Sequence, residues 1–295
     1  MTTTILLAGA TGDLGGRILK ALLEQGADVR ALVRPGTDAD KLAKLDQPGV
    51  TISQVALTDV AGLTQACEGV SCVVSALQGL RDVIVDAQSA LLDAALAAGV
   101  PRFIPSDFSS DYTQLPAGYN RNFDLRREFS AHLDTTSMAG TSILNGAFAE
   151  LLTYNMPFLD LKKNSVGYWE DADWRVDFTT MDNTAAYTAA AALDPSTPRI
   201  LRIASFQISA NEMAAAAEEV TSQKFAVIRM GSRDELAAYN QRERAAHPEG
   251  ETEVYPGWQR GQYMHSMFSV RNEPLDNDRY PAVAWTPVRD VIGKR

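Results

Sequence analysis

A glycine-rich turn near the start of the chain constrains the fold more than any other stretch. The apolar run Thr4–Ala8 predicts a strand, and the amphipathic run Arg17–Gln25 predicts a helix. Between these runs, Gly9, Gly12 and Gly15 follow the spacing GxxGxxG. A strand, a glycine turn and a helix start in this order indicate the first unit of a parallel α/β sheet.

Each glycine in the turn has a physical reason to lack a side chain. Gly9 permits the tight turn, Gly12 lets a diphosphate approach the backbone, and Gly15 lets the helix pack close to the strand. Because a helix N-terminus attracts phosphate, the turn predicts a dinucleotide site. The predicted contacts are Gly9, Thr11, Gly12, Asp13, Leu14 and Gly15. The alternative is a loop of turn glycines that binds nothing.

Strand and helix patterns continue to alternate after this turn. The sixth predicted strand is Ser142–Leu144, and a helix is predicted to follow over Ala147–Leu152. This alternation predicts an α/β fold, with a doubly wound parallel-sheet Rossmann domain over 1–152 and about 178–204. Residues 153–177 and 205–295 are predicted to form a smaller C-terminal α/β subdomain that covers the substrate.

Composition excludes several classes of protein. The 295 residues carry a net charge of −10, which argues against direct nucleic-acid binding but not against action through a protein partner. Cys67 and Cys72 lack zinc-ligand spacing, and we find no other metal motif, so no metal is expected. No segment reaches membrane-spanning length. We therefore expect a cytoplasmic protein; the sequence leaves a homodimer open.

Arg34 follows the second predicted strand, Asp28–Val33, where a dinucleotide places its adenosine ribose. An acidic residue there would bind a free 2′-hydroxyl, whereas arginine favours a 2′-phosphate. The residue therefore predicts NADP(H) as the cofactor. The alternative is a solvated loop charge.

Four stretches of the sequence, taken together, resemble one known family. The stretches are Leu7–Gly15, Val100–Phe108, Thr141–Phe148 and Asp278–Pro281. They resemble the NmrA-like and isoflavone-reductase-like branch of the atypical short-chain dehydrogenases/reductases. The second stretch departs from that branch's RFxPSEFG segment, because Asp107 stands where glutamate is usual and Ser109 where glycine is usual.

The resemblance implies an NADP(H)-binding Rossmann domain with a small C-terminal domain. It implies that Arg34 meets the 2′-phosphate. The remaining cofactor-lining residues that it implies are Ser75, Ala76 and Leu77, with Pro105, Ser106 and Phe148 near the nicotinamide. Enzymes of this branch reduce aromatic substrates, and its regulators act as redox sensors.

Catalytic residues are harder to assign. None of the nine tyrosines has a lysine four residues on, so the YxxxK pair is missing. The reductase branch uses a lysine at a position that falls here on Arg126, or on Arg127 if the register shifts by one. Arginine holds its proton too tightly for general acid–base catalysis, but it can orient a substrate or stabilise an oxyanion. Asp107 is a candidate for proton relay; a turn cap is the alternative.

Two functions follow from these residues. The first is an NADPH-dependent reductase of a small, aromatic carbonyl, alkene or benzylic ether substrate, with Arg126 and Asp107 as its catalytic residues. The second is a catalytically silent NADP(H) sensor that acts through a protein partner. The aromatic group Trp258, Tyr263 and Phe268 forms either a substrate pocket or simply a core, and His265 beside it is expected at a core or rim position.

Overall fold

The computed structural model describes residues 3–154 and 156–293. By its internal contacts the chain divides into two compact units. The first contains residues up to Asp107, Leu125–Ile143 and Thr184–Leu201. The second contains Phe108–Asp124, Leu144–Asn183 and the residues from Arg202 onward. These bounds differ from the predicted domains, since residues 108–124, 144–152, 178–183 and 202–204 lie in the second unit and not in the first.

A six-stranded parallel sheet forms the centre of the first unit. Its strands are β1 (Thr4–Ala8), β2 (Asp28–Val33), β3 (Val50–Gln54), β4 (Cys72–Ser75), β5 (Arg102–Ile104) and β6 (Ala139–Gly140). Their order, β3-β2-β1-β4-β5-β6, reverses direction at β1. Ligands bind at such a reversal, beyond the carboxyl ends of the strands. The predicted doubly wound parallel fold is confirmed.

Helices connect these strands. They are α1 (Asp13–Glu24), α2 (Ala39–Ala43), α3 (Val60–Cys67), π-helical turns over Asp82–Ala87 that run into α4 (Gln88–Ala97), and α5 (Arg121–Asp134). The first unit buries Leu6, Val73 and Phe103 from the sheet with Leu91 and Phe129 from the helices. Packing of these apolar side chains fixes the strand ends that carry the predicted site.

The rest of the chain forms shorter strands and further helices. The strands are β7 (Ser142–Leu144), β8 (Ala147–Phe148), β9 (Ser165–Trp169), β10 (Val176–Thr179), β11 (Ile200–Arg202), β12 (Phe206–Ile208) and β13 (Ala226–Gly231). The helices are α6 (Met181–Leu193), α7 (Ala210–Thr221), α8 (Arg233–Ala246), α9 (Gly257–Met267) and α10 (Val288–Ile292). Within the second unit, β12-β10-β8 form one sheet and β13-β9 another. No helix among the described residues combines the length and apolarity needed to cross a membrane.

Two sequence predictions need correction here. Ser142–Leu144 is a strand, as predicted, but it pairs with Ile200–Arg202, and the sixth strand of the parallel sheet is β6. The helix predicted over Ala147–Leu152 begins instead as β8, which pairs with β10, and continues as 3₁₀ turns over Ala149–Tyr154. In both places strand pairing with a distant segment overrides the local pattern.

Candidate functional site

The turn after β1 packs directly against the loop after β4. Gly9 has a φ of +91°, which favours glycine, and a Cβ there would lie 2.6 Å from the carbonyl oxygen of Ala76. A Cβ at Gly15 would lie 2.7 Å from the carbonyl carbon of Gly9 and closer still to its oxygen. The proposed reasons for glycine at both positions, a tight turn and close helix packing, therefore agree with the geometry.

The first turn of α1 is open to a ligand. Gly12 is the N-cap residue and has no side chain with which to cap the helix. It is exposed, and a Cβ on it would meet only the Gly9 oxygen, at 3.4 Å. The Asp13 carboxylate accepts a hydrogen bond from Arg17 Nε at 2.8 Å. The uncapped N–H groups and the dipole of α1 make this helix start suited to phosphate.

Arg34 lies immediately after β2 and is exposed. Thr37 closes the turn around it, since its hydroxyl donates to the Arg34 carbonyl oxygen at 2.6 Å. Among residues 3–154 and 156–293, the Arg34 guanidinium has no hydrogen bond or ion pair. An arginine without an internal partner at this strand end is suited to bind a phosphate.

The ends of β4 and β5 are tied together by a serine. Ser106 donates its hydroxyl hydrogen to the Leu77 carbonyl oxygen at 2.6 Å, and its N–H donates to Gln88 Oε1 at 2.9 Å. Ser75 and Pro105 are buried, whereas Ala76 and Leu77 are half-buried. The sequence reasoning missed Gln88, although a polar residue among the apolar residues of α4 was the available signal.

Asp107 is fully buried and belongs to a polar network in the first unit. Ser142 donates to its carboxylate at 2.6 Å. Arg199 in turn donates to the Ser142 hydroxyl oxygen at 2.7 Å and to Asp134 on α5 at 2.7 Å, and it also donates to Ser130. These contacts link the loop after β5 to β7 and α5.

Arg126 and Arg127 both lie on α5 and are half-buried. The next residue, Glu128, forms an ion pair with Arg81 at the start of the π-helical turns. This pair attaches α5 to the segment that follows β4. The assignment of the catalytic position to Arg126 rather than Arg127 stays a prediction.

The second unit contains the predicted nicotinamide neighbour Phe148. It is half-buried on β8, opposite Thr179 of β10. Asp177 of β10 accepts hydrogen bonds from Gln207 at 2.7 Å and from the N–H of Asn272 at 2.7 Å. Burial raises the pKa of Asp177 to about 6, despite these donors. The role of Phe148 stays a prediction.

The aromatic group of the second unit is mainly core. Trp258 and Phe268 are buried, and the guanidinium groups of Arg121 and Arg244 lie 4.7 and 4.9 Å from the centre of the Trp258 ring. His265 is buried and stacks on Tyr119.

Burial, with a smaller effect from Arg233, lowers the pKa of His265. The described residues contain no group of three or more His, Cys, Asp and Glu that could hold a metal ion.

Comparison with known proteins identifies the family. The model of the NmrA-like family matches residues 1–238. The chain belongs to the NmrA-like family. The resemblance predicted from the four sequence stretches is thus confirmed, as is the Rossmann-type fold of this NmrA-like chain.

Individual relatives of this NmrA-like chain are named as reductases. Pinoresinol reductase 2 of Arabidopsis thaliana is 32% identical over 210 residues, 66% of each chain. The match therefore spans about two thirds of that relative's length. A bifunctional pinoresinol-lariciresinol reductase of Linum perenne is 26% identical over 307 residues, 98% of each chain.

A solved structure resembles the whole chain. AtPrR2 with NADP⁺ and (+)pinoresinol has a TM-score of 0.80 and 25% identity, over 99% of this chain and 98% of that one. The cofactor predicted from Arg34 is the one bound in that related structure.

Proposed function

We propose that this chain is an NADPH-dependent reductase of a small aromatic substrate. Two observations carry the proposal: α1 starts at Gly12 without a side-chain cap, and the Arg34 guanidinium has no hydrogen-bond or ion-pair partner among the residues that the structure describes. Together they offer one site for a diphosphate and another for a 2′-phosphate. The reductase names of the relatives support the same class of reaction.

The residues around the strand ends would bind and orient the cofactor. NADPH, when bound, supplies the hydride. Gly12 and the first N–H groups of α1 hold the diphosphate, and Arg34 holds the 2′-phosphate. Ser106 fixes the Leu77 carbonyl and thereby the wall expected beside the nicotinamide ribose. Such fixed positions are what the protein contributes to hydride transfer.

The substrate class follows from the relatives and from the residues. Pinoresinol and lariciresinol are named as substrates of the relatives, so an aromatic benzylic ether is the first choice for this chain. Aromatic carbonyl and alkene compounds are the other members of the class. Reduction of any of them develops negative charge that Arg126 can stabilise without losing its proton.

Asp107 has a different role in this proposal from that of Arg126. Its carboxylate is fully buried and accepts from Ser142, which in turn accepts from Arg199. This network favours a positioning role, in which Asp107 fixes the loop after β5. The product proton then comes from water or from another group.

A catalytically silent NADP(H) sensor is the second candidate. Arginine at the position where the reductase branch has lysine favours it, because arginine does not exchange a proton at neutral pH. A sensor would use the same phosphate contacts and report the cofactor state to a protein partner.

The experiment is NADPH oxidation by the purified chain with a panel of pinoresinol, aryl ketones and enones. A parallel fluorescence titration measures NADPH binding. Turnover with any member of the panel supports the reductase. Tight NADPH binding without turnover across the panel favours the sensor, and absence of NADPH binding contradicts both.

A further inference from the structure

Gln88 is a polar residue on the buried, otherwise apolar face of α4. Its side chain is 1% exposed, and Leu91 and Ala95 on the same face of the helix are buried as well. A buried amide is destabilising unless both of its ends form hydrogen bonds. Both ends do so here: Nε2 donates to the Ile84 carbonyl oxygen at 2.9 Å, and Oε1 accepts from the N–H of Ser106 at 2.9 Å.

The π-helical turns before α4 explain the contact with Ile84. In an α-helix the backbone N–H of Gln88 would donate to the Ile84 carbonyl oxygen, four residues earlier. Here that N–H donates instead to the carbonyl oxygens of Val83 and Val85. The Gln88 side chain takes its place at the Ile84 carbonyl. Because short π-helical segments are rare and occur frequently at functional sites, this arrangement indicates a role for the Gln88 side chain.

The two partners fix the orientation of the Gln88 amide. Rotating the amide by 180° would set its oxygen against the Ile84 carbonyl and its NH₂ group against the Ser106 N–H. One orientation alone therefore satisfies both partners. The Ser106 hydroxyl in turn donates to the Leu77 carbonyl oxygen at 2.6 Å. A series of three hydrogen bonds thus connects the π-helical turns, through Gln88 and Ser106, to the loop after β4.

Two further contacts hold the π-helical turns in place. A Cβ at Gly79 would lie 2.5 Å from the Cβ of Val83, so the loop after β4 packs directly on these turns. Arg81, at their start, donates to Glu128 of α5 at 2.6 Å. The side chain of Gln88 therefore extends from a backbone that two neighbouring segments support.

The place of this network in the sheet decides which half of a dinucleotide it affects. A dinucleotide lies across the reversal of strand order, which is at β1. Arg34 follows β2 on the adenosine side, whereas Leu77 and Ser106 follow β4 and β5 on the other side. Within the described part of the chain, the Gln88 side chain forms hydrogen bonds with neither the glycine turn nor Arg34.

We propose that Gln88 is a positioning residue for the nicotinamide half of NADPH, a role that rests on the proposed function. Gln88 acts through Ser106: it holds the Ser106 N–H, and the Ser106 hydroxyl holds the Leu77 carbonyl. The wall of the crevice after β4 and β5 is then ordered before the cofactor binds. Because this ordering is not required on binding, affinity for the nicotinamide half increases, and affinity for the adenosine half does not change.

The test compares NADPH with adenosine 2′,5′-bisphosphate, a fragment that lacks nicotinamide. Gln88→Met keeps the length of the side chain and removes both hydrogen bonds. Isothermal titration calorimetry of the full chain measures the Kd of each ligand. We expect Gln88→Met to weaken NADPH binding about tenfold or more and fragment binding less than about twofold. Gln65→Met, at an exposed position on α3, is the matched control and should leave both affinities unchanged.

A double-mutant cycle tests whether Gln88 acts through Ser106. Ser106→Ala removes the hydroxyl that holds the Leu77 carbonyl and keeps the N–H that bonds to Gln88. If both residues act along one path, the variant that combines Ser106→Ala with Gln88→Met should bind NADPH within about twofold of its weaker-binding parent. Losses that multiply in the combined variant would overturn the action through Ser106.

Circular dichroism and thermal unfolding verify that each variant is folded. If Gln88→Met does not fold, Gln88→Asn replaces it, because this shorter amide cannot reach both partners; the same difference between the two ligands is expected. Equal losses for NADPH and the fragment, or unchanged NADPH affinity in a folded Gln88 variant, would overturn the inference.

Failure of the proposed function has a different signature. A wild-type chain that binds no NADPH contradicts the proposed function, and the role of Gln88 with it. A wild-type chain that binds NADPH without turnover contradicts the reductase alone. The selective loss of NADPH affinity in Gln88→Met would still support the positioning role in that case, because the readout is affinity and not turnover.

Discussion

Ser142 donates a 2.6 Å hydrogen bond to the fully buried carboxylate of Asp107. The same hydroxyl accepts from Arg199, which also holds α5 through Asp134. A buried carboxylate depends on such donors, because its charge is costly to leave unsatisfied. The residue that resembles the family's glutamate is therefore built into the packing of the first unit.

Ser142→Ala removes this donor, and we expect it to lower the free energy of unfolding by about 1–3 kcal/mol. Urea unfolding measures the change. The control Ser89→Ala, at a half-buried position on α4, should stay within about 0.5 kcal/mol of the wild type. If Ser142→Ala retained full stability and yet abolished turnover, Asp107 would act in the chemistry rather than in positioning.

Substitutions at Gly12 and Gly15 should change different properties: ligand binding at Gly12 and stability at Gly15. A Cβ at Gly12 has room, so Gly12→Ala should change stability by less than about 1 kcal/mol but weaken NADPH binding about tenfold or more, by blocking close approach of the diphosphate. Gly15→Ala should instead destabilise the protein, because its Cβ overlaps the Gly9 carbonyl. Binding titration and thermal unfolding of both variants distinguish the two effects. Equal NADPH affinity in wild type and Gly12→Ala would refute the phosphate assignment.

Arg34→Asp should move the preference from NADPH towards NADH. Loss of a charge-assisted contact costs about 1.5–3 kcal/mol, which corresponds to about a ten- to hundredfold loss of NADPH affinity. Lys44→Asp is the matched control, since Lys44 is also exposed and lies shortly after the same turn. Comparison of NADPH and NADH affinities tests the prediction. If both variants lost NADPH affinity to the same extent, the change in net charge would be responsible and not a contact between Arg34 and the 2′-phosphate.

Asp177 should make stability depend on pH. Its pKa is raised from 3.8 to about 6, so the native state holds the proton more tightly than the unfolded chain does. Its contribution to stability is thus fully present below about pH 3.8, and it is lost as the pH rises through about 6. The loss amounts to about 3 kcal/mol at most.

Urea unfolding between about pH 4 and pH 7 measures this dependence. Asp177→Asn should flatten the decline in stability across that range, whereas Asp290→Asn, at an exposed position on α10, should leave it as in the wild type. The same decline in Asp177→Asn as in the wild type would assign the effect to another group.

The sequence predicts those features of the fold that depend on residues close together in the chain. The glycine turn is one such feature. Asp38 before α2 and Ser232 before α8 are two more, because both residue types favour the helix N-cap, and each side chain accepts a backbone N–H of the helix that follows it. Arg34 was identified because the strand that precedes it ends in a clear apolar run.

Other elements depend on distant partners and could not be read locally. The strands β6, β8 and β12 have two or three residues each, too few for an alternating pattern, and they exist through their pairing with other segments. Strand β9 likewise forms because β13 lies beside it. The Gln88–Ser106 hydrogen bond could not be predicted locally either, because Gln88 lies on α4 and Ser106 in the loop after β5.

The most direct test of the account is hydride transfer from NADPH that carries deuterium at the transferring position of nicotinamide C4. The purified chain is incubated with this NADPH and the aromatic panel, and the products are analysed by mass spectrometry. We predict a product that contains one deuterium atom, formed in step with NADPH loss and greatly reduced in Arg34→Asp. Tight binding of NADPH with no deuterium in any product of the panel would contradict the reductase.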